Sequence, residues 1–132
     1  MIGLDTNVLV RYIVQDDPRQ SAIATKFIEK ECTAERPGFV SQIVLVELIW
    51  VCEDCYGASR REIAEIARRI LSATQLAVQD AESVWKALRQ FESGPADFAD
   101  CLIERIAREN GCESVATFDK AAARSGMRLL KG

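Results

Sequence analysis

Short apolar segments alternate with longer amphipathic ones along the whole sequence, and this alternation restricts the fold more than any other feature. The short segments are Met1 to Leu4, Phe39-Val40, Gln75 to Val78, Ser114 to Phe118 and Met127 to Leu130. Between them, apolar residues recur at helical spacing. Strands separated by helical stretches cannot close as hairpins, so they pair in parallel through helical crossovers. The expected class is α/β: a three-layer α/β/α arrangement around a central, mostly parallel sheet of four or five short strands. At 132 residues the chain is long enough for one real core, and a single domain over 1–132 is expected.

The helix boundaries are written locally. The opening strand ends at Asp5, and a helix starts near Thr6 or Asn7. Asp17 can cap a second helix with Pro18 in its first turn. Ala22, Ile23, Phe27 and Ile28 form its stripe, up to about Cys32. Ser41 can cap the most apolar helix, Ile43 to Val51, which is expected to end near Tyr56 with Gly57 as its stop. Ser59 and Glu62 have capping-box spacing. Asp80 is expected to cap a helix carrying Val84, Trp85, Leu88 and Phe91. Gly94-Pro95 breaks that helix and Asp97 begins the next, with Leu102, Ile103, Ile106 and Ala107 as its stripe. Asp119 ends a strand and precedes a short helix, Lys120 to Arg124.

Composition narrows the chemistry. The chain has no His, which removes Ser/His/Asp and Cys/His triads, imidazole bases and imidazole metal ligands together. A net charge of −3 means that any nucleic-acid contact must come from a local basic patch. The cysteines, Cys32, Cys52, Cys55, Cys101 and Cys112, are odd in number and no leader-like stretch opens the sequence. A disulfide framework is therefore not expected, and a reducing, cytosolic compartment is. No apolar run has the length of a membrane span.

Acid chemistry is thus left to carboxylates, and several stand in unusual places. Asp5 and Asp119 each follow an expected strand directly. In an open parallel sheet, ligands bind just beyond the carboxyl ends of strands. Glu47 interrupts the longest apolar run, where burying a carboxylate is costly without compensation. Ser41, Gln42 and Glu53 do not form a continuous polar face with it. Asp100 lies one turn beyond Asp97, and Glu104 shares its face. Taken singly, Asp5, Asp97 and Asp119 are explained equally well as helix caps. Their joint placement with Glu47 is not. Carboxylates gathered in one pocket repel each other, and a hard divalent cation resolves that conflict. Oxygen-only ligation suits Mg²⁺ or Mn²⁺. Such an ion can deliver a water as hydroxide and clamp phosphate oxygens, which points to metal-assisted phosphodiester hydrolysis.

The sequence resembles the PIN-domain family and, within it, the VapC-type toxin ribonucleases of type II toxin–antitoxin pairs. The resemblance is carried by Leu4-Asp5-Thr6-Asn7-Val8-Leu9-Val10-Arg11, Val46-Glu47, Asp97-Phe98-Ala99-Asp100, Ala116-Thr117-Phe118-Asp119-Lys120 and Gly126 to Leu130, in that order. It implies a PIN-like fold and a divalent-metal-dependent endoribonuclease that uses Mg²⁺ or Mn²⁺. Asp5, Glu47, Asp100 and Asp119 match the family's four acids. By the resemblance, Asp5 and Asp100 are the most direct metal ligands, while Glu47 and Asp119 ligate through water or help activate it. Thr6, Asn7 and Thr117 match supporting polar residues, and Asp97 is an additional acid found in part of the family. The resemblance also implies a homodimer and a cognate antitoxin that inserts a segment into the acidic groove.

Other features are weaker. Cys52-Glu53-Asp54-Cys55 has zinc-like spacing without a second pair, and two surface or half-buried thiols are expected instead. Cys101 and Cys112 are expected in the core. Trp50, Trp85 and Tyr12 are expected in the core or an interface. Arg60-Arg61 and Arg68-Arg69 interleave with Glu62 and Glu65, as in a solvated, salt-bridged helix. Arg11, Lys120 and Arg124 are the expected contacts to an RNA backbone. Two rival readings compete. One is a non-catalytic module whose acidic groove binds a basic partner peptide. The other is a receiver-like domain, against which the lone Asp5 after the first strand and the Glu47 helix both argue.

Overall fold

The structure is a computed structural model that describes residues 1–131; Gly132, the last residue of the expected single domain, lies outside that range. By its internal packing the chain divides into two compact units, Met1–Ala81 and Glu82–Gly132. Each is built on parallel strands joined by helices, so the α/β class stands.

The first unit holds a three-stranded parallel sheet of β1 (Ile2–Gly3), β2 (Gly38–Val40) and β3 (Leu76–Val78), in the order β1-β2-β3. Ile2 aligns with Gly38, and Gly38 in turn with Leu76. The close strand approach explains the glycine: a Cβ on Gly38 would stand 2.8 Å from Cδ1 of Leu4. The β1–β2 crossover consists of α1 (Thr6–Val14), α2 (Pro18–Lys26) and a π-helical turn, Phe27–Glu31. The β2–β3 crossover is the helical pair α3 (Gln42–Tyr56) and α4 (Arg60–Ser72).

The local signals for these helices operate as expected. The Asp17 carboxylate accepts from the Gln20 amide with Pro18 in the first turn. Ser41 accepts from the Val44 amide, and Gly57 ends α3 in the left-handed region at φ 65°. Ser59 and Glu62 form the full reciprocal capping box. The end of α1 is unexpected: Gln15 adopts φ 59°, and its side-chain amide offsets that geometry by donating to the Tyr12 carbonyl at 2.8 Å and to Thr25 Oγ1 at 3.0 Å. Leu9, Ile28, Val40, Leu45, Leu48, Ile63 and Ile70 are buried. The helices pack α1 on α2, α1 on α3 and α3 on α4.

The second unit contains α5 (Ala81–Ser93, whose first residue belongs to the first unit), α6 (Phe98–Glu109), β4 (Ala116–Thr117), α7 (Lys120–Arg124) and β5 (Arg128–Leu129). β4 and β5 pair in parallel, with Ala116 against Arg128. Asp80, immediately before α5, takes a left-handed backbone conformation at φ 48°. Phe91 and Phe98 meet edge to face across the Gly94-Pro95 break, with centroids 6.0 Å apart. Such a pair adds about 1 kcal/mol to the burial of its rings. Among the described residues no helix is long and apolar enough to cross a membrane.

Candidate active site

In the first unit, the site residues are set by the end of β1 and the start of α1. Asp5 leaves the sheet with extended backbone and caps α1, its Oδ1 accepting from the Thr6 amide at 2.8 Å. The cap reading is therefore correct as local structure, and it leaves the exposed carboxylate available for a second role. The Thr6 hydroxyl donates to Glu47 Oε1 at 2.7 Å, across 41 positions of sequence. That bond ties the acid of α3 to the residue beside Asp5 and leaves Glu47 Oε2 for other partners. Asn7 is exposed in the first turn of α1.

The desolvation argument for Glu47 is corrected by the structure. Glu47 is exposed, not buried in an apolar helix. The apolar run of α3 is split between two faces: Leu45, Leu48, Ile49 and Cys52 turn inward, while Ile43 and Trp50 remain 75% and 59% exposed. Glu47 shares the outward stripe with those two. Trp50 is accordingly not a core residue, whereas Tyr12 is buried and donates its hydroxyl to Glu29.

In the second unit, Asp97 and Asp100 lie at the start of α6 and Asp119 at the start of α7. Asp97 caps α6 and accepts from the Asp100 amide at 2.8 Å. Asp119 caps α7, accepting from the Ala121 amide at 2.8 Å. Its own amide donates to Thr117 Oγ1 at 3.0 Å, so Thr117 fixes the turn that carries Asp119. Asp100, on the first turn of α6, is half-buried. Burial first, then the neighbouring charges of Asp97 and Asp119, push its carboxyl up to about 6. Glu104, one turn on, has a different role. It is 7% exposed and accepts from Gln90 and Arg108, each at 2.8 Å. It also presses on Gly126, where a Cβ would stand 3.2 Å from Oε1 and the backbone is at φ 123°.

In each unit the acids offer carboxylate oxygen without imidazole, the donor chemistry that suits a hard divalent cation, and in the second unit the charges of Asp97 and Asp119 oppose that of Asp100. Among the described residues no three His, Cys, Asp or Glu side chains converge as a metal-binding group. Mg²⁺ keeps several of its waters and needs only one or two carboxylates.

The other expected contacts differ in their surroundings. Arg11 is held by Asp16 at 3.0 Å and by Gln20 at 2.7 Å, and Asp16 also accepts from the Tyr56 hydroxyl. Lys120 and Arg124 are exposed. An open cavity of about 1070 Å³ in the first unit is lined by Asp5, Asn7 and Arg11 together with Leu4, Val8, Ile23 and Phe27. The cysteines are all free. Cys101 and Cys52 are buried, but Cys112 is exposed, not a core residue. Burial pushes the Cys52 thiol up, which makes it a poor nucleophile. Sequence reasoning missed the cationic residues of α5 and α6, Lys86, Arg89, Arg105 and Arg108, which line one cleft in the second unit.

Comparison with known proteins gives two findings. The model of the PIN domain family matches residues 2–126. A VapC ribonuclease from Aquifex aeolicus (strain VF5) is 26% identical over 127 residues, covering 96% of this chain and 93% of that protein.

Proposed function

This chain belongs to the PIN domain family, and from that premise we propose that it is a divalent-metal-dependent endoribonuclease, the toxin of a toxin–antitoxin pair. The observation that carries the proposal is the Thr6–Glu47 hydrogen bond. It joins the acid of the third helix to the turn holding Asp5, in a chain that has no His for acid–base work. The similarity to a VapC ribonuclease along nearly the full length of both chains supports the choice of RNA as substrate.

In this reading Asp5 and Asp100 are the direct ligands of Mg²⁺ or Mn²⁺, and Glu47 and Asp119 act through water. When bound, such an ion supplies Lewis-acid polarisation of the phosphodiester and an acidified water. The chain's own residues set the geometry. Thr6 holds one oxygen of Glu47 and leaves the other for a partner, and Asn7 follows in the same turn. Thr117 anchors the Asp119 backbone. Asp97 holds the first turn of α6 and so the orientation of Asp100. Lys120 and Arg124 are exposed and can meet phosphate, whereas Arg11 is already held through Nε by Gln20 and through Nη1 by Asp16. The cavity beside Asp5, lined by apolar residues and by charges of both signs (Asp5 and Glu31, Arg11 and Lys26), is proposed to take an inhibitory segment of the antitoxin. The protein is proposed to act in the cytoplasm as a homodimer.

The test is incubation of the purified protein with RNA in Mg²⁺, in Mn²⁺ and in excess EDTA. Endonucleolytic cleavage is expected with either ion and none with EDTA. Undiminished cleavage in EDTA would remove the metal from the account. No cleavage under any metal condition would leave the non-catalytic, peptide-binding reading.

A further inference from the structure

The second unit carries a basic cleft that the acidic groups do not explain. Lys86 and Arg89 on α5, and Arg105 and Arg108 on α6, line one open cavity of about 590 Å³. Each pair is spaced i,i+3 and so lies on one helix face. The chain as a whole is acidic, with net charge −3, so this grouping is local and not a consequence of composition. Glu104 is the one acid in the lining, and both its oxygens are already engaged, by Arg108 and Gln90. The other cations are less committed. Lys86 pairs with the exposed Glu82 at 3.4 Å, a pairing that solvent weakens. Arg89 is exposed. Arg105 Nε is buried and has no hydrogen-bond partner among the described residues. Arg105 as a whole is only half-buried and lines the open cavity.

We infer that this cleft holds backbone phosphates of the RNA, apart from the acids that perform the chemistry. The inference rests on RNA being the substrate. The cavity is far larger than one phosphate, and cations on two helices make a track, not a point. No aromatic ring lines it, so there is no platform for stacking bases. The contact is therefore with phosphate and independent of sequence, positioning the strand without specifying it. An arginine fork suits this task because it binds phosphate oxygens in pairs.

The experiment measures binding of a fluorescein-labelled single-stranded RNA in EDTA, by anisotropy, as salt is raised. Each phosphate contact to a single strand contributes a slope of about −0.7 to log K against log salt. The double variant Arg89→Gln/Arg105→Gln should bind at least roughly tenfold more weakly at low salt, with a slope shallower by about 1.4. Arg89→Gln alone changes an exposed side chain, leaves the fold intact, and should flatten the slope by about 0.7. Arg105→Lys should retain most of the slope. Wild-type affinity and slope in both Arg89→Gln and the double variant would overturn the inference. So would the absence of wild-type RNA binding, or binding of an acidic peptide in its place. The result is separable from the cleavage assay. Wild type that binds through the cleft but never cleaves keeps the cleft and rejects the nuclease. Wild type that cleaves, with variants that bind equally well, does the reverse.

Discussion

Asp5→Asn is expected to leave the protein folded and to reduce RNA cleavage by at least about 10²-fold. The substitution separates the cap that the structure shows for Asp5 from the metal-ligand role proposed for its carboxylate. As the cap of α1 it needs only a side-chain oxygen to accept from the Thr6 amide, and Asn caps a helix as well as Asp does. The residue is exposed, so the exchange leaves no buried group unsatisfied. Its melting temperature should therefore match wild type. As a metal ligand, Asn has lost the charge. Removing a charged ligand costs several kcal/mol of transition-state stabilisation, and each 1.36 kcal/mol is a factor of about ten in rate. Asp5→Ala loses both roles, with roughly 1 kcal/mol less stability from the missing cap. An Asp5→Asn protein that melts and cleaves like wild type would show that the cap is the residue's whole function.

Asp100→Asn is expected to lose activity on a similar scale while gaining stability in the absence of metal. Asp100 is pushed up to about 6 by burial and by Asp97 and Asp119. A carboxyl raised in the folded state binds more protons there than in the unfolded chain. Stability is therefore highest at low pH and falls as pH rises through the window from about 4 to 6. Above that window the charged group costs the folded state on the order of 1 kcal/mol, once the shift is discounted for solvent around a group that is only half-buried. Asn has no charge to lose, so the fall should disappear. In EDTA at neutral pH the variant should melt roughly 3 °C above wild type, and the two should converge near pH 4. Mn²⁺ should raise the melting temperature of wild type more than that of the variant. Equal stability of the two proteins across this range would mean that neither burial nor the acids around Asp100 disfavour its charge.

What could be read from the sequence follows from how local each signal is. Asp17 with Pro18, Ser41, Gly57 and the Ser59–Glu62 box each depend on a few adjacent residues, and all formed where expected. The strand-end positions of Asp5 and Asp119 were legible for the same reason. Features that depend on packing were not. The apolar run around Glu47 looked like a buried helix because composition does not say which side of it is covered. In the structure Ile43 and Trp50 stay exposed, and Glu47 is exposed between them. Cys112 follows the turn after α6 and not the helix face that buries Cys101. The basic cleft of α5 and α6 was hidden because its cations are interleaved with acids in sequence. Only the helix faces separate Lys86, Arg89, Arg105 and Arg108 from their neighbours. Glu104 was grouped with Asp100 by periodicity, yet Gln90 and Arg108 use it as a buried hydrogen-bond acceptor.

The central claim is that water, held by carboxylates through a divalent cation, attacks the phosphodiester. Its most direct test is the chemistry of the ends left on the RNA. Products of cleavage in Mn²⁺, isolated and analysed by mass, should carry a linear monophosphate on one side of the cut and a hydroxyl on the other, and a 2′-deoxy nucleotide at the cut should still be cleaved. Cyclic 2′,3′-phosphate ends, or loss of cleavage on removing that 2′-hydroxyl, would assign the attack to the RNA itself and contradict the account.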